Sequence, residues 1–241
     1  MEFKLPTEIV TLPSQGLLYP SDNPLSSGQV EIKYMTAKEE DILTNANYIN
    51  NGTVLDKLMK SLIVSDINYD DLLIGDKNAI MVSSRILGYG KDYKFTYQGE
   101  EQTVDLTTLD NKEIDSSLFT RGENNFNFTL PTSGIDISFK LLNHRDEVQI
   151  SQELKGLKKL NSDESPDLTT RLKHMITSIK GSTESKDIRE FVENYLLAQD
   201  ARALRNYIVQ IQPDVDLTFF HERIESRVKL PIGLNFFWPD L

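Results

Sequence analysis

Polarity along the chain changes period several times, and each change predicts an element. Residues 1–35 carry Pro6, Pro13, Pro20 and Pro24 among Leu5, Ile9, Leu12, Leu17, Leu18 and Tyr19. Prolines at that spacing stop a helix from propagating, so an extended N-terminal arm is expected, with enough apolar content to be docked. Alternation from Gln29 to Met35 predicts a strand that closes it. Thr36 with Glu39 three positions on is a capping-box pair, opening a helix expected to reach Ile49. Asn50-Asn51-Gly52 breaks it. A second helix should follow from Thr53, with Leu55, Leu58, Met59 and Leu62 on one face. A third should start at Asp76, with a stripe of Ile80, Ser83 and Leu87. Residues 36–91 thus form a small helical unit.

Period 2 replaces period 3.6 in residues 92–142. Tyr93, Phe95 and Tyr97 alternate with polar neighbours up to a tip at Gln98-Gly99-Glu100-Glu101, and Val104 and Leu106 alternate beyond it. Phe126, Phe128 and Leu130 mirror Ile135, Ile137, Phe139 and Leu141 across Pro131-Thr132-Ser133-Gly134. Two β-hairpins are predicted, each with one apolar face that helices or a partner must cover. The helical period returns over 143–212. Ser165-Pro166-Asp167 opens a helix through Leu168, Leu172, Met175, Ile176 and Ile179, and another begins near Ser185 with Ile188, Phe191, Val192, Tyr195 and Leu196 aligned. Asp200 starts the next, which runs through Leu204, Tyr207, Ile208 and Ile211 to Pro213. Residues 213–241 hold a strand pair at 215–219 and 227–230 and an aromatic C-terminal tail. The predicted class is α+β, helical segments alternating with antiparallel hairpins, in one or two compact domains.

Composition then removes whole classes of function. The 241 residues carry a formal charge of −11 and no block of basic residues, which argues against a nucleic-acid partner. No apolar run approaches the roughly 20 residues of a membrane span, and Met1-Glu2-Phe3-Lys4 does not begin a secretory signal. A soluble protein of a cytoplasm is expected. Without cysteine there is no disulfide, thiolate nucleophile or cysteine zinc site. His144, His174 and His221 are too far apart to show a ligand spacing and read as helix-end or surface residues. Asp66, Asn68 and Asp70 imitate the start of a calcium loop, but Asp71 and Lys77 stand where a glycine and a glutamate are needed, so caps and turns explain them. No phosphate-binding glycine loop or nucleophile elbow occurs. Catalytic residues, metal, cofactor and small-molecule substrate are therefore all expected to be absent.

The C-terminus stands out. Phe236, Phe237 and Trp238 are consecutive, and each such ring removes about 150–250 Å² from water when buried. Left exposed they would aggregate, so the tail either folds onto its own core or anchors into a partner, where such aromatics act as hot spots. With the arm residues Leu12, Leu17, Leu18 and Tyr19, they are the candidate partner-binding residues.

Five segments resemble the T-even-type baseplate hub assembly family of contractile-tailed bacteriophages. They are Leu12-Pro13-Ser14-Gln15-Gly16-Leu17-Leu18-Tyr19-Pro20, then Ile32-Lys33-Tyr34-Met35-Thr36-Ala37-Lys38-Glu39-Glu40-Asp41-Ile42-Leu43-Thr44, then Asp71-Leu72-Leu73-Ile74-Gly75-Asp76-Lys77-Asn78, Arg85-Ile86-Leu87-Gly88-Tyr89-Gly90 and Phe236-Phe237-Trp238-Pro239. The resemblance implies a non-enzymatic protein of the tail pathway, a subunit or assembly chaperone whose partners are hub and tail proteins of the same phage. It implies work in the host cytoplasm and leaves retention in the virion open. Some relatives carry cysteine pairs at hairpin tips, like zinc knuckles. Here the tip from Gln98 to Glu101 and the region around His221 have none, so the resemblance implies hairpins held by packing alone. Two other readings stand beside it: an enzyme acting on host or tail components through dispersed acids and Tyr or Lys residues, and an inhibitor of a host protein.

Overall fold

The computed structural model describes residues 5–160 and 166–237. The fold is α+β: among these residues, eight α-helices stand with four small antiparallel sheets. The arm is not extended throughout. Strand β1 (Thr7–Thr11) pairs with β2 (Gln29–Lys33) in the register Thr7↔Lys33 to Thr11↔Gln29, and the chain between them doubles back. Proline blocks a helix here as expected, but Gly16 and Gly28 adopt left-handed backbone and Asn23 caps a short 3-10 turn at Pro24–Ser27, which turns the arm into a hairpin. Gly16 has no room for a side chain, since a Cβ would lie 2.4 Å from the carbonyl of Ser26. Val10, Val30 and Ile32 face inward.

The capping box forms. Glu39 Oε2 accepts hydrogen bonds from the Thr36 amide at 3.0 Å and the Thr36 hydroxyl at 2.6 Å. The helix it opens is shorter than expected. Helix α1 (Ala37–Leu43) ends, and Asn45 caps a separate α2 (Ala46–Asn50) by accepting from the amides of Asn47 and Tyr48. Helix α3 (Val54–Leu62) buries Val54, Leu58, Met59 and Leu62. Helix α4 (Ile74–Tyr89) starts two residues before Asp76 and buries Ala79, Ile80 and Val82. Asp76 therefore lies inside its first turn, and the stripe has shifted from Ser83 and Leu87.

Strands β3 (Asp92–Tyr97) and β4 (Glu100–Asp105) form the first expected hairpin around Gln98 and Gly99, both with positive φ. The second, β5 (Phe126–Thr129) with β6 (Asp136–Phe139), gains a third strand, β7 (Ile176–Ile179). That strand lies where helix was expected. After α5 (His144–Leu160), helix α6 (Asp167–Met175) stops early, because Ile176, Ser178 and β-branched Ile179 pair with the open edge of β6, Thr177 falling at a bulge. Ser165 lies outside the described residues, and Pro166 occupies the cap instead of the first helical position. Helices α7 (Ser185–Asn194) and α8 (Ala198–Ile211) bury Ile188, Phe191, Val192, Leu204, Ile208 and Ile211. Tyr195, expected on that face, is exposed past the end of α7. Strands β8 (Thr218–His221) and β9 (Ser226–Lys229) complete the fold. Buried side chains from Val10 to Phe237 belong to one connected apolar cluster. Among the described residues no helix is long and apolar enough to cross a membrane.

Candidate functional site

Segments near both ends of the described residues close on α4. At its first turn, Asp76 is wholly buried and accepts three hydrogen bonds from the arm: the Ser14 amide at 2.9 Å, the Ser14 hydroxyl at 2.7 Å and the Tyr19 hydroxyl at 2.6 Å. The Tyr19 oxygen in turn accepts from the Leu73 amide at 2.9 Å, which satisfies the residue that caps α4. Burial raises the Asp76 pKa against the opposing pull of the Ser14 and Tyr19 hydrogen bonds, and burial followed by the Asp76 charge pushes the Tyr19 phenol up.

Nine residues on, about 13 Å along the axis, Arg85 holds the other terminus. Its fully buried guanidinium donates to the carbonyls of Phe236 at 2.7 Å, Gly90 at 2.8 Å and Asp92 at 3.3 Å. The Phe236 ring meets Tyr93 edge-on at 4.9 Å and Phe237 at 5.4 Å. Leu12, Leu18, Tyr19, Phe236 and Phe237 are thus core residues of this chain, which corrects their reading as surface anchors. The physical reason is that α4 offers a buried acid that Ser14 and Tyr19 satisfy and a buried guanidinium that the Phe236 carbonyl shares with those of Gly90 and Asp92. Leu17 is half-buried, its carbonyl accepting from the Gly122 amide at 2.7 Å. Trp238 lies outside the described residues.

Two polar features remain, each built around a histidine whose spacing suggested no site. The first lies at the start of α5, where the His144 amide donates to Leu72 and sets the imidazole beside α4. Lys77 Nζ is 2.6 Å from Asp56 Oδ1 and 3.2 Å from His144 Nδ1, while the Tyr69 hydroxyl donates to Asp56 at 3.1 Å. A lysine ammonium has only donors, so Nδ1 accepts and the ring proton sits on Nε2, toward Asp70 at 3.9 Å. Burial and then the Lys77 charge lower the His144 pKa, which keeps the ring neutral at neutral pH. Beside this cluster opens a cavity of about 450 Å³ lined also by Thr53, Asn78, Ser151 and Lys155. His144 keeps its helix-end position but is buried.

The second feature joins the two outer hairpins. Phe219 and His221 of β8 pack against Phe95 and Tyr97 of β3, with Phe95–Phe219 at 5.1 Å and Tyr97–His221 at 5.2 Å. Arg223 spans to Glu100 at 2.6 Å. Between β4 and β8 runs a cleft of about 740 Å³. His221, expected at the surface, is 2% exposed, and neither ring nitrogen has a hydrogen-bond partner. The alternation of Phe219, Phe220 and His221 already put the histidine on the inward face, which was the signal available.

Among the described residues no group of three histidine and acidic side chains converges as a metal site. The carboxylates with displaced pKa values, such as Glu39, Asp76, Asp105, Glu153 and Asp200, do not share a cavity. No family model, curated protein or solved structure matches this chain.

Proposed function

We propose that the chain is a non-enzymatic protein of the baseplate hub pathway of a contractile-tailed phage, binding hub subunits as a subunit or assembly chaperone in the infected cytoplasm. One observation carries this reading: segments that supply the resemblance, scattered from residue 12 to residue 237, meet one another in the fold. Ser14 and Tyr19 of the first bond Asp76 of the third. Met35 of the second lies against Gly88 of the fourth, where an added Cβ would come within 2.7 Å of its sulfur. Arg85 of the fourth holds the carbonyl of Phe236 in the fifth. Two of the segments run through α4 itself, and the other three touch it. They share a structural task, which is to fix α4 between the two termini.

With those residues buried, the reading takes as its partner surface groups that the fold leaves outside, such as Phe220 and Ile224 on the last hairpin. A second reading, an enzyme, draws on the Lys77, Asp56 and His144 cluster beside its cavity. There the lysine is already committed to Asp56 and lies 5.6 Å from the centre of the Tyr69 ring, which suits a role in joining α3, α4 and α5.

The test is deletion of the gene from the phage that encodes it, with complementation in trans. The reading expects tails arrested before hub completion, rescue by the wild-type chain and equal rescue by Lys77→Met. Complete baseplates without the gene, or loss of rescue by a folded Lys77→Met protein, would contradict it.

A further inference from the structure

The cleft between β4 and β8 is walled by two strand edges. Tyr97 and Glu100 flank a two-residue loop, and Leu106 donates to the Lys91 carbonyl at 2.9 Å. These fix the phase of the ladder: Phe95 with Gln102 and Tyr93 with Val104 exchange hydrogen bonds, so the backbone amide and carbonyl of Thr103 point away from β3. The same argument from Leu230, whose amide donates to Leu217 at 2.9 Å, turns the amide and carbonyl of Phe220 away from β9. Thr103 and Phe220 both line the cleft, and no backbone hydrogen bond joins β4 to β8. Neither edge carries proline, a bulge or an inward-pointing lysine; what guards them is the acidic side chains of β4 and the shortness of β8. His221 adds an independent sign. A buried imidazole with two bare nitrogens lacks the partner such groups nearly always have, and it lines this same cleft.

We propose that the cleft receives an extended segment of a partner protein as an added β-strand, bonded to the outward main-chain groups of β4 and β8, with one polar side chain reaching His221. A repeating row of amides and carbonyls is matched by another strand better than by a compact ligand. Charge selects against a second copy, because each chain carries −11. It favours a segment with basic residues: Glu222 at the rim enters no ion pair among the described residues, while Arg223 and Arg227 are engaged by Glu100 and Asp216. The exposed Phe220 ring offers apolar contact beside the main-chain bonds.

The inference rests on the hub reading for its partner, so the experiment separates the two. Purified hub subunits of the encoding phage, and overlapping short peptides spanning their sequences, are tested for binding to the full chain, to Thr103→Pro, to Thr96→Pro and to His221→Phe. Proline at Thr103 removes one outward amide and leaves the β3 ladder intact; Thr96, paired with Glu101, has its amide turned outward on the opposite edge of the hairpin and serves as the control. Strand addition expects particular peptides to bind the wild type and Thr96→Pro, to lose binding to Thr103→Pro, and to bind His221→Phe about tenfold more weakly with its thermal stability undiminished. Subunits that bind while no peptide does, or Thr103→Pro binding as the wild type does, would overturn strand addition and leave the hub reading intact. Failure of every subunit to bind would sink both.

Discussion

At the scale of single residues, stability concentrates where a buried polar group has its partners far away in sequence. Tyr19 is one such group, donating to Asp76 and accepting from Leu73. Tyr19→Phe keeps the ring and removes both bonds, leaving a buried carboxylate short of a donor, and should cost about 2 kcal/mol in urea unfolding. Glu39 is another. Burial opposes its charge, but hydrogen bonds from Lys33, then Thr36 and Ser61, carry its pKa from 4.5 down to about 2. A carboxylate depressed in the folded state adds stability above its unfolded pKa and loses it as pH falls through the folded value. Stability should therefore drop between about pH 4.5 and 2 by this route, and Glu39→Gln should flatten that part of the profile while lowering stability at neutral pH. An unchanged acid limb in the variant would refute the assignment.

At the scale of elements, α4 is the member whose surroundings matter most. The segment after α8 crosses its first turn so closely that a Cβ on Gly75 would lie 1.9 Å from the carbonyl oxygen of Pro213, whereas one on Gly88 would meet only the flexible end of Met35. Helix propensity alone favours alanine at both sites. Packing predicts different outcomes: Gly75→Ala loses about 3 kcal/mol or more through a backbone clash, and Gly88→Ala changes stability by less than about 1 kcal/mol. Equal effects in thermal melts would mean that the Pro213 segment does not bear on α4. This contrast also marks what was legible beforehand. Alternation exposed the hairpins β3–β4 and β5–β6, and apolar spacing exposed α3, α7 and α8, because each is set by its own local pattern. The strand β7 was hidden, since Ile176 and Ile179 fit a helical stripe as well as a strand until an open edge of β6 competes for them. The folding back of the arm was hidden likewise, as it turns on left-handed Gly16 and Gly28 and is seated on Asp76, none of which a polarity period reveals.

At the scale of the molecule, the two termini act as a clasp around a helix from the middle of the chain. Phe236 is fully buried against Tyr93, and its carbonyl receives the Arg85 guanidinium. Phe236→Ala removes the ring contact and opens a cavity, at a cost of about 3–5 kcal/mol; calorimetry should show one lowered transition for the whole chain, and a separate low-temperature transition would contradict a single connected core. The candidate partner residues were legible as large apolar groups needing cover, but not which surface covers them, because a sequence does not distinguish a ring destined for its own core from one destined for a neighbour.

The claim that this protein works by binding other tail components is tested most directly by gradient sedimentation of lysates from infected cells carrying a tagged copy of the chain. The account predicts that the tagged chain travels with hub intermediates and that Thr103→Pro shifts it to the position of the free 27.5 kDa protein. A wild-type chain found only as the free protein throughout baseplate assembly, while hubs form normally, would contradict it.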